Sequence, residues 1–125
     1  MDSSVTPRSD DLDRRRLYQV YGDDTDTIAS FIALFLSDVI PHFTDLENEL
    51  IGKEWGALAE RAHQLRSWLA MVGLTKLENQ LLHIEEQARN NPDECGIRQT
   101  YTTFREQLNQ MIPVLIQEVE RLNRR

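Results

Sequence analysis

His63 is followed by Arg66 and Ser67 in the stretch Ala62-His63-Gln64-Leu65-Arg66-Ser67-Trp68-Leu69-Ala70-Met71-Val72-Gly73-Leu74. A neutral imidazole has one nitrogen that carries a proton and one that carries a lone pair, so it can act as a nucleophile near neutral pH. A guanidinium three residues on shares its side of a helix. There it can neutralise an acquired phosphoryl group, which adds about -2 charge. Farther along, Glu85 supplies a carboxylate. A carboxylate that accepts from one imidazole nitrogen fixes the tautomer and leaves the other nitrogen free to attack. Each residue also has a plainer reading. His63 is then a surface histidine, Glu85 a solvated helix carboxylate, and Arg66 a surface arginine paired with Glu60 or Glu54.

Helix geometry separates some of these readings. Leu58, Ala62, Leu65, Leu69 and Val72 recur as one apolar stripe, with Trp55 at its start. At about 100° per residue, His63 lies about 160° from Leu65 and faces away from the core. Gly56, Ala59, Ser67 and Ala70 surround it, with Glu60 and Arg66 at the margins. Small residues beside one imidazole predict a flat surface that a partner protein can approach closely. This helix and the next form a hairpin turning near Gly73. His63 stands ten residues before that turn and Glu85 twelve after it. At ~1.5 Å per residue both lie roughly 15–18 Å from it, so the two belong at one level.

The remaining elements must hold that hairpin. Residues 1–10 are polar, contain Pro7, and read as a flexible tail; residues 11–125 read as one helical domain. A short helix begins near Asp11 and Asp13, with Leu12, Leu17 and Val20 or Tyr21 as its apolar side, and ends at Gly22. Asp23-Asp24-Thr25-Asp26 starts the next helix. Its face carries Ile28, Phe31, Ile32, Phe35, Val39, Phe43, Leu46 and Leu50. Leu34, Leu36 and Ile40 fall outside that stripe, where they can seat the first helix. Pro41 is expected to bend it and Gly52 to end it. The third helix starts near Lys53. The fourth carries Leu74, Leu77, Leu81, Ile84 and Ala88 and stops at Asn90-Asn91. Asn91 looks like an N-cap for a fifth helix, with Ile97, Tyr101, Phe104, Leu108, Met111, Leu115, Val119 and Leu122 on its inner face and a local kink at Pro113. No segment alternates with period two. The expected fold is all-α: an antiparallel up-down four-helix bundle with a short additional N-terminal helix.

Composition narrows the partners. The net charge of -7 disfavours nucleic acid, whose binding rests on neutralising phosphates. One cysteine, Cys95, rules out an internal disulfide and a CxxC metal knot. The start of the chain has no basic segment followed by an apolar block, and no apolar run approaches ~20 residues. A cytoplasmic protein with no membrane span is the expectation. There is no Gly-rich ATP loop and no acidic triad for a metal, so no autonomous kinase activity and no cofactor of its own are expected.

The segment from His63 to Gly73 resembles the signature of histidine-containing phosphotransfer (HPt) domains, roughly H-x-(L/I)-K-G-(S/A)-(S/A)-x-x-(L/V/F)-G. Tyr21-Gly22-Asp23-Asp24 followed by Phe31 to Asp38 resembles the family's second-helix opening. Trp55 to His63 resembles its approach to the phosphorylated residue. The resemblance implies a phosphorelay intermediate that carries a phosphoryl group on His63, between receiver-domain aspartates or from a histidine kinase. The partners implied are the receiver domain of a hybrid histidine kinase, a response regulator, or both. Mg²⁺ would come from the partner receiver, and the protein would be a monomer. Arg66 stands for the usual lysine. Ser67 stands for a glycine that lets the receiver backbone approach. Trp68 and Leu69 stand where small residues are usual. Some members place a glutamate and others a glutamine at the position of Glu85. Trp68 falls about 60° from the core centre, to repack the bundle or to present an aromatic anchor.

Two rival readings lie beside this one. One is an adaptor of the same fold that binds receivers without transfer. The other is a metal site using His42, His83 and acids, for which paired Glu-x-x-His motifs would be expected. Otherwise His42 and His83 are surface residues.

Overall fold

The computed structural model describes residues 12–90 and 92–124. The expected tail at 1–10 and Asn91 lie outside the described residues, but the last helix begins at Glu94 with Asp93 at its N-cap position, so the expected cap at Asn91 is corrected to Asp93. The described residues form six α-helices and no strand.

Helix α1 (Arg14–Tyr21) is opened by Asp13, whose carboxylate accepts from the Arg16 backbone N–H at 3.1 Å. Gly22 closes it at φ 65. Asp24 caps α2 (Thr25–Leu34) in the same way, accepting from the Thr27 N–H at 3.1 Å. The bend expected at Pro41 takes a specific form. Before the proline the ladder widens to a π-helical turn over Phe35–Val39, and the Ile40 N–H reaches the Phe35 carbonyl at 3.0 Å. A proline ring clashes with the carbonyl four residues back and donates nothing, which favours this wider register. The chain resumes as α3 (His42–Ile51), turned by 41° from the preceding segment. No single helix among the described residues is long and apolar enough to cross a membrane; the bent pair α2–α3 has the length and composition together, and its main apolar residues face the core.

Helix α4 (Trp55–Met71) begins two residues later than expected, because Lys53 adopts a left-handed conformation at φ 57 and ends α3. The Glu54 N–H returns to the Glu49 carbonyl at 2.9 Å and the Lys53 N–H to that of Leu50 at 3.1 Å. The same closure ends α4, with Gly73 at φ 78, the Leu74 N–H on the Leu69 carbonyl and the Gly73 N–H on that of Ala70. Then follow α5 (Thr75–Asn90) and α6 (Glu94–Asn123), a 30-residue helix that runs through Pro113 without interruption.

One apolar cluster runs from Leu12 to Leu122 and takes in residues of all six helices. The α2–α3 stripe is buried except for half-exposed Phe31, and the α5 stripe is buried throughout. Polar contacts set the neighbours. Arg61 grips Glu49 through two hydrogen bonds of 2.9 and 3.0 Å, tying α4 to α3. Gln80 and Gln107 join α5 to α6 at 2.7 Å, and Tyr101 donates to Glu47 at 3.0 Å between α6 and α3.

Helix α1 does not sit on Leu34, Leu36 and Ile40. Leu34 is exposed, and Leu36 and Ile40 pack partly against the core. Instead α1 covers the α4–α5 turn. The Asp13 N–H donates to the Gly73 carbonyl at 2.8 Å, Tyr21 Oη donates to the Met71 carbonyl at 3.1 Å, and Arg16 pairs with Glu78 at 3.1 Å. Leu12 and Leu17 are buried, and Tyr21 stacks on Phe31 with ring centroids 5.3 Å apart. Val20 points away and is exposed. Arg14 completes the seam, reaching Glu118 of α6 at 2.9 Å.

Candidate functional site

The α4–α5 hairpin brings His63 and Glu85 to one level, as their distances from the turn require. His63 Nδ1 lies 3.1 Å from Glu85 Oε2. A carboxylate only accepts, so Nδ1 carries the proton and donates. Nε2 therefore holds the lone pair of the neutral ring. The imidazole is 58% exposed while the Glu85 side chain is 9% exposed. The ring thus faces solvent while the carboxylate that holds it is kept inside.

A buried carboxylate is costly unless other groups replace its hydration. Three donors surround Glu85. Arg66 Nη1 donates to Oε1 at 2.8 Å, and Arg89 Nε donates to Oε2 at 3.2 Å, the oxygen that also takes His63. Arg89 reaches on to Glu60 at 3.5 Å. Arg66 therefore pairs with Glu85, not with Glu60 or Glu54. Its Nε is buried with no hydrogen-bond partner among the described residues, so this guanidinium is turned inward.

The surrounding surface differs in part from the expectation. Gly56, Glu60 and Ser67 are exposed, and Ala70 is half-buried. A Cβ placed on Gly56 would meet nothing within 4 Å, so the face is open there. Ala59 is a correction: it was expected on the flat partner surface and is buried, 1% exposed. Helix α4 packs against both α3 and α5. Its buried arc is therefore wider than one stripe and extends round to the side from which His63 and Arg66 reach α5. A small residue one turn before His63 fits a close approach of two helices. Trp68 is half-buried and packs against the core with part of its surface still in solvent.

His42 and His83 are both exposed. His42 faces Asp45 at 3.4 Å, and no three of His, Cys, Asp or Glu converge as a metal would need among the described residues. Cys95 is exposed at the start of α6.

Arg89 is the site residue that the sequence reading missed. Its signal was present as a Glu85-to-Arg89 step of four on α5, which places the two side chains together.

A family model described as Hpt domain matches residues 30–123, and the chain belongs to that family. The match starts within α2, so α1 lies outside it. Searches of curated proteins and of solved structures return no match. Hpt domains as a family serve histidine phosphotransfer in phosphorelays and meet receiver domains and kinases.

Proposed function

We propose that this chain relays a phosphoryl group through Nε2 of His63. The observation that carries the reading is an exposed imidazole whose Nδ1 is held by a buried carboxylate. In the step, the Nε2 lone pair attacks phosphorus of an aspartyl phosphate on a receiver domain. The bond from phosphorus to the aspartate oxygen breaks, and its electron pair leaves with the carboxylate. The ring proton stays on Nδ1, where Glu85 balances the charge that develops. The reverse step loads a receiver aspartate. Magnesium and the lysine of the partner receiver supply most of the charge stabilisation, and docking supplies the alignment.

The same reading takes helices α2–α3, α4, α5 and α6 as an antiparallel up-down bundle forming one domain, working in the cytoplasm as a monomer. The exposed positions Gly56, Glu60 and Ser67, with half-buried Ala70, form the landing surface for the receiver. Ser67 narrows that approach relative to the family's glycine and offers a hydroxyl to the phosphoryl oxygens.

Incubation with a receiver carrying labelled aspartyl phosphate tests the reading. Label should pass to this chain, resist alkali, be released by acid, and disappear in His63→Gln. Unchanged labelling of His63→Gln would sink the proposal. Receiver binding with no transfer from either chain would favour the adaptor reading instead.

A further inference from the structure

The position of Arg66, three residues after the histidine, suggests that it meets the phosphoryl group. The side-chain contacts suggest otherwise. Arg66 is the shorter contact to Glu85, at 2.8 Å, and its side chain is 25% exposed. Arg89 holds the same carboxylate more loosely, at 3.2 Å, and its side chain is 45% exposed. Its second acidic contact, Glu60, is 3.5 Å away and itself 65% exposed. Arg89 and the His63 Nδ1–H share one oxygen, Glu85 Oε2, so the guanidinium borders the imidazole. Glu85 and Glu60 balance the two guanidiniums at rest, and Arg89, the looser and more exposed of the two, is the one whose charge can be turned to an incoming dianion.

Resting on the phosphotransfer reading, we propose that Arg89 is the cation that neutralises the phosphoryl group on His63, while Arg66 is a positioning residue that keeps Glu85 in place. On phosphorylation Arg89 leaves Oε2 and turns to the phosphoryl oxygens, a rearrangement open to a side chain that is already half in solvent. Its departure also removes a competing donor from Oε2. The Nδ1–H bond to Glu85 then strengthens as the ring becomes more positive. Arg66 does not need to move and cannot do so without leaving a buried carboxylate less satisfied. Loading and charge compensation are thus coupled through one oxygen atom.

The test uses the full chain and a small-molecule donor, so that no receiver is required. Phosphoramidate phosphorylates exposed imidazole: Nε2 attacks phosphorus and ammonia leaves. The ³¹P resonance of the product is then followed against pH. A phosphoryl group has its second ionisation near pH 6, and a neighbouring cation lowers it. In Arg89→Ala that ionisation should rise by roughly half a pH unit. Arg89→Lys should restore most of the difference, since charge and not the guanidinium fork is needed. Arg66→Ala should leave the phosphoryl ionisation nearly unchanged while shifting the His63 ring resonances, because Glu85 loses its anchor. With a receiver present, Arg89→Ala should lower the equilibrium share of phospho-His63 by roughly two- to fivefold. A phosphoryl ionisation unmoved by Arg89→Ala, or moved only by Arg66→Ala, overturns this assignment alone. Failure of phosphoramidate to label His63 in the unaltered chain would overturn the phosphotransfer reading and this assignment with it.

Discussion

Two buried glutamates, Glu118 and Glu85, divide the molecule into a closed end and an open face. They are the two buried charged residues among those described, at 3% and 7% exposure, and each is gripped by two arginines. Glu118 takes Arg14 from α1 and Arg121 from its own helix. Every partner of that carboxylate is a permanent cation, and the result is a joint between α1 and α6. Glu85 takes Arg66 and Arg89 and also His63, a group that can change its covalent state. A buried carboxylate with two arginines is therefore a structural device in either place. What makes one of them a candidate site is the third donor, whose far side faces solvent. Charge burial alone would not have told them apart.

The comparison can be broken most forcefully at the closed end. Arg14→Ala combined with Arg121→Ala leaves Glu118 buried without its partners. The expected loss is about 2–4 kcal/mol of stability, after discounting for the partial exposure of both arginines. It should be measured by urea unfolding, with His63 labelling by phosphoramidate unchanged. Loss of labelling in a folded double variant would mean that the two regions are not independent.

Gly73→Ala attacks the same end through the backbone. Gly73 sits at φ 78, and an added Cβ would stand 3.1 Å from the Asp13 carbonyl oxygen and 3.1 Å from Leu17. A left-handed non-glycine residue costs about 1–2 kcal/mol, and the crowding adds to it. A melting point within a degree of the unaltered chain would contradict the tight seat of α1 on this turn.

Glu85→Gln addresses the open face. The amide keeps the shape and can still accept from Nδ1, but it no longer offsets a charged ring. Phosphoryl acceptance from a receiver should slow by about tenfold, or roughly 1.4 kcal/mol in the barrier. Glu118→Gln should leave that rate alone. Equal effects of the two substitutions on transfer would erase the distinction drawn here.

The smallest effect is in pH. Burial pushes the Glu118 carboxyl up, but hydrogen bonds from Arg121 and Arg14 outweigh this and hold it below the ordinary carboxylate range. A depressed folded value gives a contribution that is complete above the unfolded value, about 4.3, and is lost as pH falls through the folded value. As pH falls below about 4.3, stability should therefore be lost less steeply in Glu118→Gln than in the unaltered chain. An identical slope would remove Glu118 from the acid response.

Much of this was legible in the sequence because helices are periodic. Leu58, Leu65 and Leu69 fix the inner face of α4, and counting from Gly73 sets His63 opposite Glu85. The period does not tell how many neighbours a helix has. Ala59 was placed on the surface because one stripe was assumed, whereas α4 has α3 on one side and α5 on the other. Pro41 announced a bend but not its execution as a π-helical turn, which depends on where the widened ladder can still bury Phe35 and Val39. Lys53 gave no sign of a left-handed cap, since that conformation normally selects glycine. Arg89 was readable from its step to Glu85, yet on a chain rich in charge such pairs are ordinary, and only the shared oxygen distinguishes this one.

The most direct measurement is the ³¹P–¹⁵N coupling in ¹⁵N-histidine-labelled chain after phosphoryl loading from a receiver. Phosphorus should couple to Nε2 of His63, with the remaining ring proton on Nδ1. Coupling to Nδ1, or to His42 or His83, would contradict the assignment of Glu85 as the group that directs the nucleophile.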